Sequence, residues 1–259
     1  MTRTGRFSLA RYLPAFVAFL IAAAIWQVVA EHTQSVIPTL GSIASALSAN
    51  SHELIVDGLD TLQESLVGLA AGFAVAFAAA VAMSQVRILE RALMPLAVVV
   101  NVTPLVALAP GLAVAFGFGY MPKYIFTAII VFFPFLVNAG IGLRSVEPEA
   151  LNVMATLRAS RLEVLWRLRL PSSLPFLFAA ARVCLPLSIV GAVVAEFTAS
   201  GNSPGLGVLV LTSAQQSQIG IEFAAIFCLA LMGVVYTAVV AVAEHRLLRW
   251  HVSARSPRN

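Results

Sequence analysis

An all-α membrane protein with six transmembrane helices is the fold class this sequence predicts, and three observations carry the prediction. Hydrophobic residues make up 60% of the 259-residue chain and charged residues only 11%, which no ordinary soluble domain matches. Six stretches reach the roughly 20 mostly apolar residues that a helix needs to cross a bilayer. Threaded through a membrane, they leave fifteen of the sixteen basic residues on one side.

In chain order the expected spans cover residues 12–30, 61–84, 94–118, 124–143, 176–197 and 223–243. The first apolar run is longer than an ordinary signal-peptide core, so it is read as a span although Val28-Val29-Ala30 loosely fits a cleavage site. The outer loop after it is acidic, with Glu31, Glu53, Asp57 and Asp60, and its stretch "PTLGSIASALSAN" suits a short amphipathic surface helix. Pro104 and Pro110 fall in the third span, Pro134 in the fourth and Pro186 in the fifth. No internal repeat or low-complexity segment divides the chain, so residues 1–259 are read as one membrane domain.

Positive charge orients the spans, because Lys and Arg are retained in cytoplasmic loops. Every arginine then lies inside, with Arg182 near the inner end of the fifth span, and Lys123 alone lies outside. Both termini are expected in the cytoplasm. The net charge of +4 therefore reflects arginines facing an anionic leaflet, and nucleic acid is not an expected partner.

Several chemistries have no residues to carry them. The chain has no G-x-x-x-x-G-K-[ST] loop to cradle ATP phosphates, and its single lysine is Lys123. Cys184 and Cys228 sit within spans as small apolar residues. His32, His52, His245 and His251 are scattered without ligand spacing. No catalytic, cofactor-binding or metal residues are expected; an energy source must be another subunit or an ion gradient.

The longest inner loop, residues 144–175, is the most informative. Within "EALNVMATLRASRLEVLWRLRLP" (149–171), Ala150, Val153, Met154 and Leu157 share one helix face, and Pro148 suits that helix's first turn. Ser160-Arg161-Leu162-Glu163 reads as a capping box opening a second helix with a stripe of Leu162, Leu165 and Trp166. Pro171 and Pro175 are expected to end it. Such a hairpin either folds onto the protein's own inner surface or docks into a partner's groove.

Asn101, Thr103 and Pro104 place polar groups at a helix break, and Asn138 and Ser188 sit near mid-span. These either line a translocation path or make hydrogen bonds between helices. Glu196, in "VVAEF", is an acid near the outer end of the fifth span, suited to gating or substrate contact, or else simply solvated or paired. Arg182 either snorkels to the interface or attracts an anion. Gly72, Gly111, Gly140, Gly142 and Gly191 are expected to permit close helix packing.

Aligned on Leu170-Pro171, the loop resembles the cytoplasmic loop of ABC-importer permeases: Glu-Ala-Ala, three residues, Gly, nine residues, Ile, one residue, Leu-Pro. The Glu-Ala-Ala positions fall on Asn152, Val153 and Met154, the Gly on Arg158 and the Ile on Leu168. "VTPLVALAPGLAVAFGFG", "FFPFLVNAGIGLRSVEPE", "LRASR", "LPSSLPFLFAAARV", "VGAVVAEF" and "GLGVLVLTSAQ" resemble, in order, the branch serving nitrate, sulfonates, taurine and thiamine-type pyrimidine precursors.

That resemblance implies a type I importer permease in a bacterial inner membrane, with an extracytoplasmic solute-binding protein, a second permease copy (a homodimer is favoured) and a cytosolic ATPase dimer holding ATP and Mg. It implies that Glu149, Asn152, Val153, Met154, Leu157, Arg158, Ala159, Ser160, Arg161 and Trp166 form the coupling helix seated on the ATPase. At the family's Gly position, Arg158 requires either that the turn shift to Ala159-Ser160 or that the ATPase match the guanidinium. The competing readings are a proton-coupled transporter using Glu196 or Glu64, and a scaffold that recruits a partner without transport.

Overall fold

The computed structural model describes residues 9–33, 36–199 and 203–248, without a few side chains, that of Asn101 among them. The inner-side arginines 3, 6, 249, 255 and 258 and the loop residues 200–202 lie outside this set. All the described regular structure is helical: α1 (Leu9–His32), α2 (Leu40–Ala49), α3 (Ser51–Gln85), α4 (Arg87–Val102), a 3-10 turn (Leu105–Ala107), α5 (Leu108–Phe116), α6 (Tyr120–Gly142), α7 (Pro148–Thr156), α8 (Arg161–Val164), a π turn (Leu165–Arg169), α9 (Leu170–Ala199), α10 (Leu206–Gln215) and α11 (Ile219–Leu247).

Four helices among the described residues are long and apolar enough to cross a membrane: Ser51–Gln85, Tyr120–Gly142, Arg161–Thr198 and Ile219–Leu247. The first expected span corresponds to α1, whose apolar part is the shorter helix Phe16–His32. The third is not one helix. Thr103 is extended, at φ −68° and ψ 135°, because the ring of Pro104 bars the α conformation to the residue before it. The chain therefore breaks between α4 and α5. Gly117 and Gly119, at φ +81° and +131°, then make the turn into α6, in backbone regions that side chains avoid.

The centre of the bundle is α3, α6 and α9. Leu69, Ala76, Ala80 and Met83 of α3 pack on Val131, Phe135, Leu136 and Ala139 of α6 and on Ala180 and Cys184 of α9. Small residues let these backbones approach. A Cβ on Gly142 would stand 2.8 Å from Phe176 Cβ and one on Gly191 would stand 2.8 Å from Ile130 Cγ2, while one on Gly72 would meet Val131 and the Ala128 carbonyl. Gly111 and Gly140 meet nothing within 4 Å, so no close packing within the chain depends on them.

At the end of the bundle away from the α7–α8 hairpin, α2 packs on α11. Thr39 caps α2 by accepting the Ser42 N–H at 3.2 Å, as expected of a Thr before an amphipathic helix. The second span starts ten residues earlier than expected, so Glu53, Asp57 and Asp60 lie on α3 rather than in a loop.

Candidate functional site

Charged side chains gather at both ends of the bundle. At one end is the hairpin. Helix α7 starts with Pro148 in its first turn and Glu149 beside it, each favourable at a helix N-terminus. It stops at Arg158, which holds the left-handed conformation with φ +53°. The Arg158 N–H donates to the Ala155 carbonyl and the Ala159 N–H to the Met154 carbonyl, both at 3.0 Å. Those two bonds make a Schellman turn. The turn therefore stays in register, with arginine where the resembled pattern has glycine, and does not shift to Ala159-Ser160.

Next comes the capping box: Ser160 Oγ accepts the Glu163 N–H at 3.2 Å, and Glu163 Oε2 accepts the Ser160 N–H at 2.8 Å. The second helix does not end at Pro171 or Pro175 as expected. It runs on through the π turn, where the Leu170 N–H reaches back to the Leu165 carbonyl, into α9. A widened turn relieves the i→i−4 ladder just where Pro171 cannot donate. The hairpin's second arm and the fifth span are thus one rod of 38 residues, 161–198.

Val153, Leu157, Leu162 and Trp166 are 58, 70, 63 and 63% exposed. Glu149, Asn152, Arg158, Ser160 and Arg161 are exposed with them, and only Met154 and Ala159 are half-buried, inside the turn. Leu165 packs against the central core, whereas Val153, Leu157, Leu162 and Trp166 are left uncovered by the described residues. Polar ties fix the base of the hairpin instead. Arg169 Nη1 donates to the Ser84 carbonyl at 2.8 Å, and Arg144 pairs with Glu90. Arg182 pairs with Glu244 of α11 at 2.6 Å, which settles its side chain on a protein partner.

The other end holds a buried cluster. Lys123 Nζ of α6 pairs with Glu64 Oε1 of α3 at 2.6 Å, and neither side chain is exposed. Glu196 of α9 is also fully buried. Thr61 Oγ1 donates to Glu196 Oε1 at 2.7 Å and accepts the Leu206 N–H at 2.9 Å, while the Gly207 N–H donates to Glu196 Oε2. Glu196 thereby closes the N-terminus of α10, which has no capping side chain of its own. A Cβ on Gly205 or Gly207 would run into the Glu196 carboxylate, so "VVAEF" and "GLG" are two halves of one contact.

The other polar residues of the expected path are dispersed. Thr103 and Pro104 are exposed, and Thr103 Oγ1 donates to the Val99 carbonyl at 2.8 Å. Asn138 donates to the Pro134 carbonyl at 2.8 Å and buried Ser188 to the Leu185 carbonyl at 2.7 Å. The Asn101 side chain lies outside those described. Sequence reasoning did not bring Lys123, Glu64 and Thr61 together. The available signal was the chain's one lysine beside a span and an acid inside another.

A bundle of membrane-length helices carrying a charged hairpin at one end defines a multi-span membrane component. The chain belongs to the family of binding-protein-dependent transport system inner membrane components, whose model matches residues 68–249. It is an ABC-importer permease, a transport subunit and not an enzyme. It is 30% identical over 235 residues to the formylaminopyrimidine transport permease protein ThiX of Halalkalibacterium halodurans, covering 90% of this chain and 93% of the relative. It is also 30% identical over 208 residues to a probable ABC transporter permease protein of Haemophilus influenzae, covering 79% and 84%. The putative aliphatic sulfonates transport permease protein SsuC of Bacillus subtilis is 28% identical over 242 residues, covering 90% and 86%. Among solved structures, a chain of the inward-facing MetNI methionine ABC transporter shares the fold, with a TM-score of 0.63 and 16% identity over 77% of this chain and 96% of that one.

Proposed function

We propose that this permease carries a small solute into the cytoplasm of a bacterium, across the inner membrane, with both termini inside. An extracytoplasmic binding protein delivers the solute, two copies of the chain form the pathway, and a cytosolic ATPase dimer holding ATP and Mg drives it. One observation carries the reading: a hairpin with a well-made turn, a full capping box and four exposed apolar side chains, rigidly continuous with a span. A surface so ordered and so apolar at its tip is suited to a partner's groove.

The cargo best supported is a pyrimidine precursor of the formylaminopyrimidine type, because the relative so named matches over nearly its whole length. A nitrate-, sulfonate- or taurine-like anion is the second choice, from relatives such as the sulfonate permease. Thr103, Pro104, Asn138 and Ser188, with Asn101, are offered as path residues, and Glu196 as a residue that shapes the outer end of the path. A proton-coupled mechanism is not favoured by membership of this family.

The test is uptake in proteoliposomes with the co-expressed ATPase and binding protein. Uptake that needs ATP inside and survives an uncoupler supports the reading. Uptake that collapses with the proton gradient, or a hairpin carrying Arg158→Glu and Arg161→Glu that still retains the ATPase and full uptake, overturns it.

A further inference from the structure

Helix α3 runs through two apolar clusters. The central one joins it to α6 and α9. The other, at the end away from the hairpin, packs Leu54 of α3 with Ala46 of α2, Leu206 and Leu209 of α10 and Ala224 and Ala225 of α11. We refer to α2, α10 and the start of α11 as the cap. Helix α9 meets the cap at a polar junction centred on Thr61, which is fully buried. The Thr61 hydroxyl donates to Glu196 of α9 and accepts the Leu206 N–H of α10, so one oxygen on α3 holds two other helices. Glu196 takes the Gly207 N–H on its second oxygen. The Leu206 and Gly207 N–H groups, which open α10, are therefore satisfied from α3 and α9. A helix of ten residues has little stability of its own, so what holds its first turn decides where it sits.

Three features suit this junction to transmitting movement. Glu196 stands near one end of the 38-residue rod 161–198, whose other end is the second arm of the hairpin, roughly 50 Å of continuous helix away. A displacement of the hairpin therefore arrives at Glu196 without crossing a loop. Thr61 also has a second acceptor 3.1 Å away in its own helix, the Asp57 carbonyl, the back-bond that hydroxyls commonly make inside helices. When Glu196 draws back, the Thr61 proton can turn to that carbonyl, and no buried donor is stranded. Gly205 and Gly207 put no side chain between α10 and the carboxylate, so a small shift of the rod acts on the α10 backbone directly.

We infer that Thr61 is a positioning residue for transport: acting through Glu196, it joins the rod that carries the hairpin to the cap, so that the two ends of the permease change position together. This rests on the function proposed above, in which the hairpin meets the ATPase and the cap faces the binding protein. The hydroxyl keeps α10 in register with α9 while those two partners act at opposite ends. Valine at 61 has nearly the shape of threonine but neither donates nor accepts; it frees the Leu206 N–H and takes a donor from Glu196. Serine restores both bonds. A role confined to folding would lower the amount of assembled transporter, and uptake and hydrolysis would fall in step. Loss of a mechanical joint changes their ratio.

The experiment uses the full-length permease with its ATPase and binding protein in proteoliposomes, with a formylaminopyrimidine as cargo. Uptake and ATP hydrolysis are measured on the same vesicles for wild type, Thr61→Val and Thr61→Ser. We expect uptake per ATP hydrolysed to fall at least about threefold in Thr61→Val and to recover in Thr61→Ser. Hydrogen exchange of the permease in nanodiscs gives a second reading: the amides of residues 206–207 should exchange at least about fivefold faster in Thr61→Val than in wild type. A wild-type ratio in Thr61→Val overturns the inference, as do amides at 206–207 that exchange no faster. Should Thr61→Val fail to assemble, Gly207→Ala carries the test, because its methyl pushes the carboxylate off α10; an unchanged ratio there overturns the inference too. Wild-type vesicles that show no ATP-dependent uptake overturn the proposed function itself, a result distinct from each of these.

Discussion

The Arg169 guanidinium at the foot of α9 donates to the Ser84 carbonyl at the foot of α3, 2.8 Å away and 85 positions back along the chain. Ser84 lies in the last turn of α3, where carbonyls have no partner within their own helix. The bond closes that helix end and also ties the hairpin's rod to the central helix α3. Force applied at the hairpin therefore reaches α3 without crossing a flexible loop. Arg169→Ala is expected to leave the ATPase bound and to cost about 1–2 kcal/mol of stability, the worth of one partly solvated charged hydrogen bond. Uptake per ATP hydrolysed should fall several-fold, with Arg169→Lys recovering part of it. Uptake and hydrolysis measured on the same vesicles check this, and an unchanged ratio in Arg169→Ala removes the bond from the transmission route.

Arg158 gives a prediction of the opposite sign. A non-glycine residue at φ +53° is disfavoured by roughly 1 kcal/mol relative to glycine. Arg158→Gly should raise the melting temperature by a few degrees, and Arg158→Val, β-branched at positive φ, should lower it. In the proposed docking, the exposed Arg158 guanidinium faces the ATPase. Arg158→Gly is therefore expected to bind the ATPase more weakly although its turn is better made, as a pull-down at graded salt would record.

How far the sequence led depends on whether a feature is local. The short helix within residues 38–50, the Ser160–Glu163 box and the Pro148 start are settled by residues close together in the chain, and all are where the sequence puts them. The stop at Pro171 and Pro175 looked equally local and was not. A π turn absorbs the missing N–H, and packing of Leu165 and Leu177 against the central core keeps the rod continuous. The buried cluster of Lys123, Glu64, Thr61 and Glu196 was beyond reach for another reason. Thr61 and Glu196 are 135 positions apart, and hydropathy shows that a helix is buried without showing which of its faces meets which neighbour. The same limit left solvation and pairing both open for Glu196 near the end of its span, where the structure has it fully buried and hydrogen-bonded.

Gly207 and Glu196 are expected to behave as one unit. A methyl at 207 would collide with Glu196 Oε2 and crowd the Val193 carbonyl, so Gly207→Ala should cost about 1–3 kcal/mol by overpacking. Glu196→Ala should cost about 1–3 kcal/mol, since it strands the buried Gly207 N–H and the Thr61 hydroxyl that donate to the carboxylate. Because the second change clears the space that the first needs, the double variant should be less destabilised than the sum by 1 kcal/mol or so. Denaturation of the four proteins of the cycle measures the difference, and strict additivity would show that the two residues do not touch.

Neighbouring residues on the hairpin separate docking from folding. Trp166 is 63% exposed, whereas Leu165, beside it, is partly buried against the central core of α3, α6 and α9. Trp166→Asp adds a charge where the ring is largely exposed among the described residues, so stability should change by less than about 0.5 kcal/mol. In a partner's groove the same charge is desolvated without a counter-ion, and copurification of the ATPase should fall at least about 10-fold. Leu165→Asp reverses the pattern: it puts a carboxylate into an apolar core and should lower stability by about 2–4 kcal/mol, with ATPase binding lost only as the fold is lost. Melting curves and pull-downs on both variants decide the matter. A Trp166→Asp chain that melts normally and still brings down the ATPase would mean that the exposed face of the hairpin is not where the engine grips.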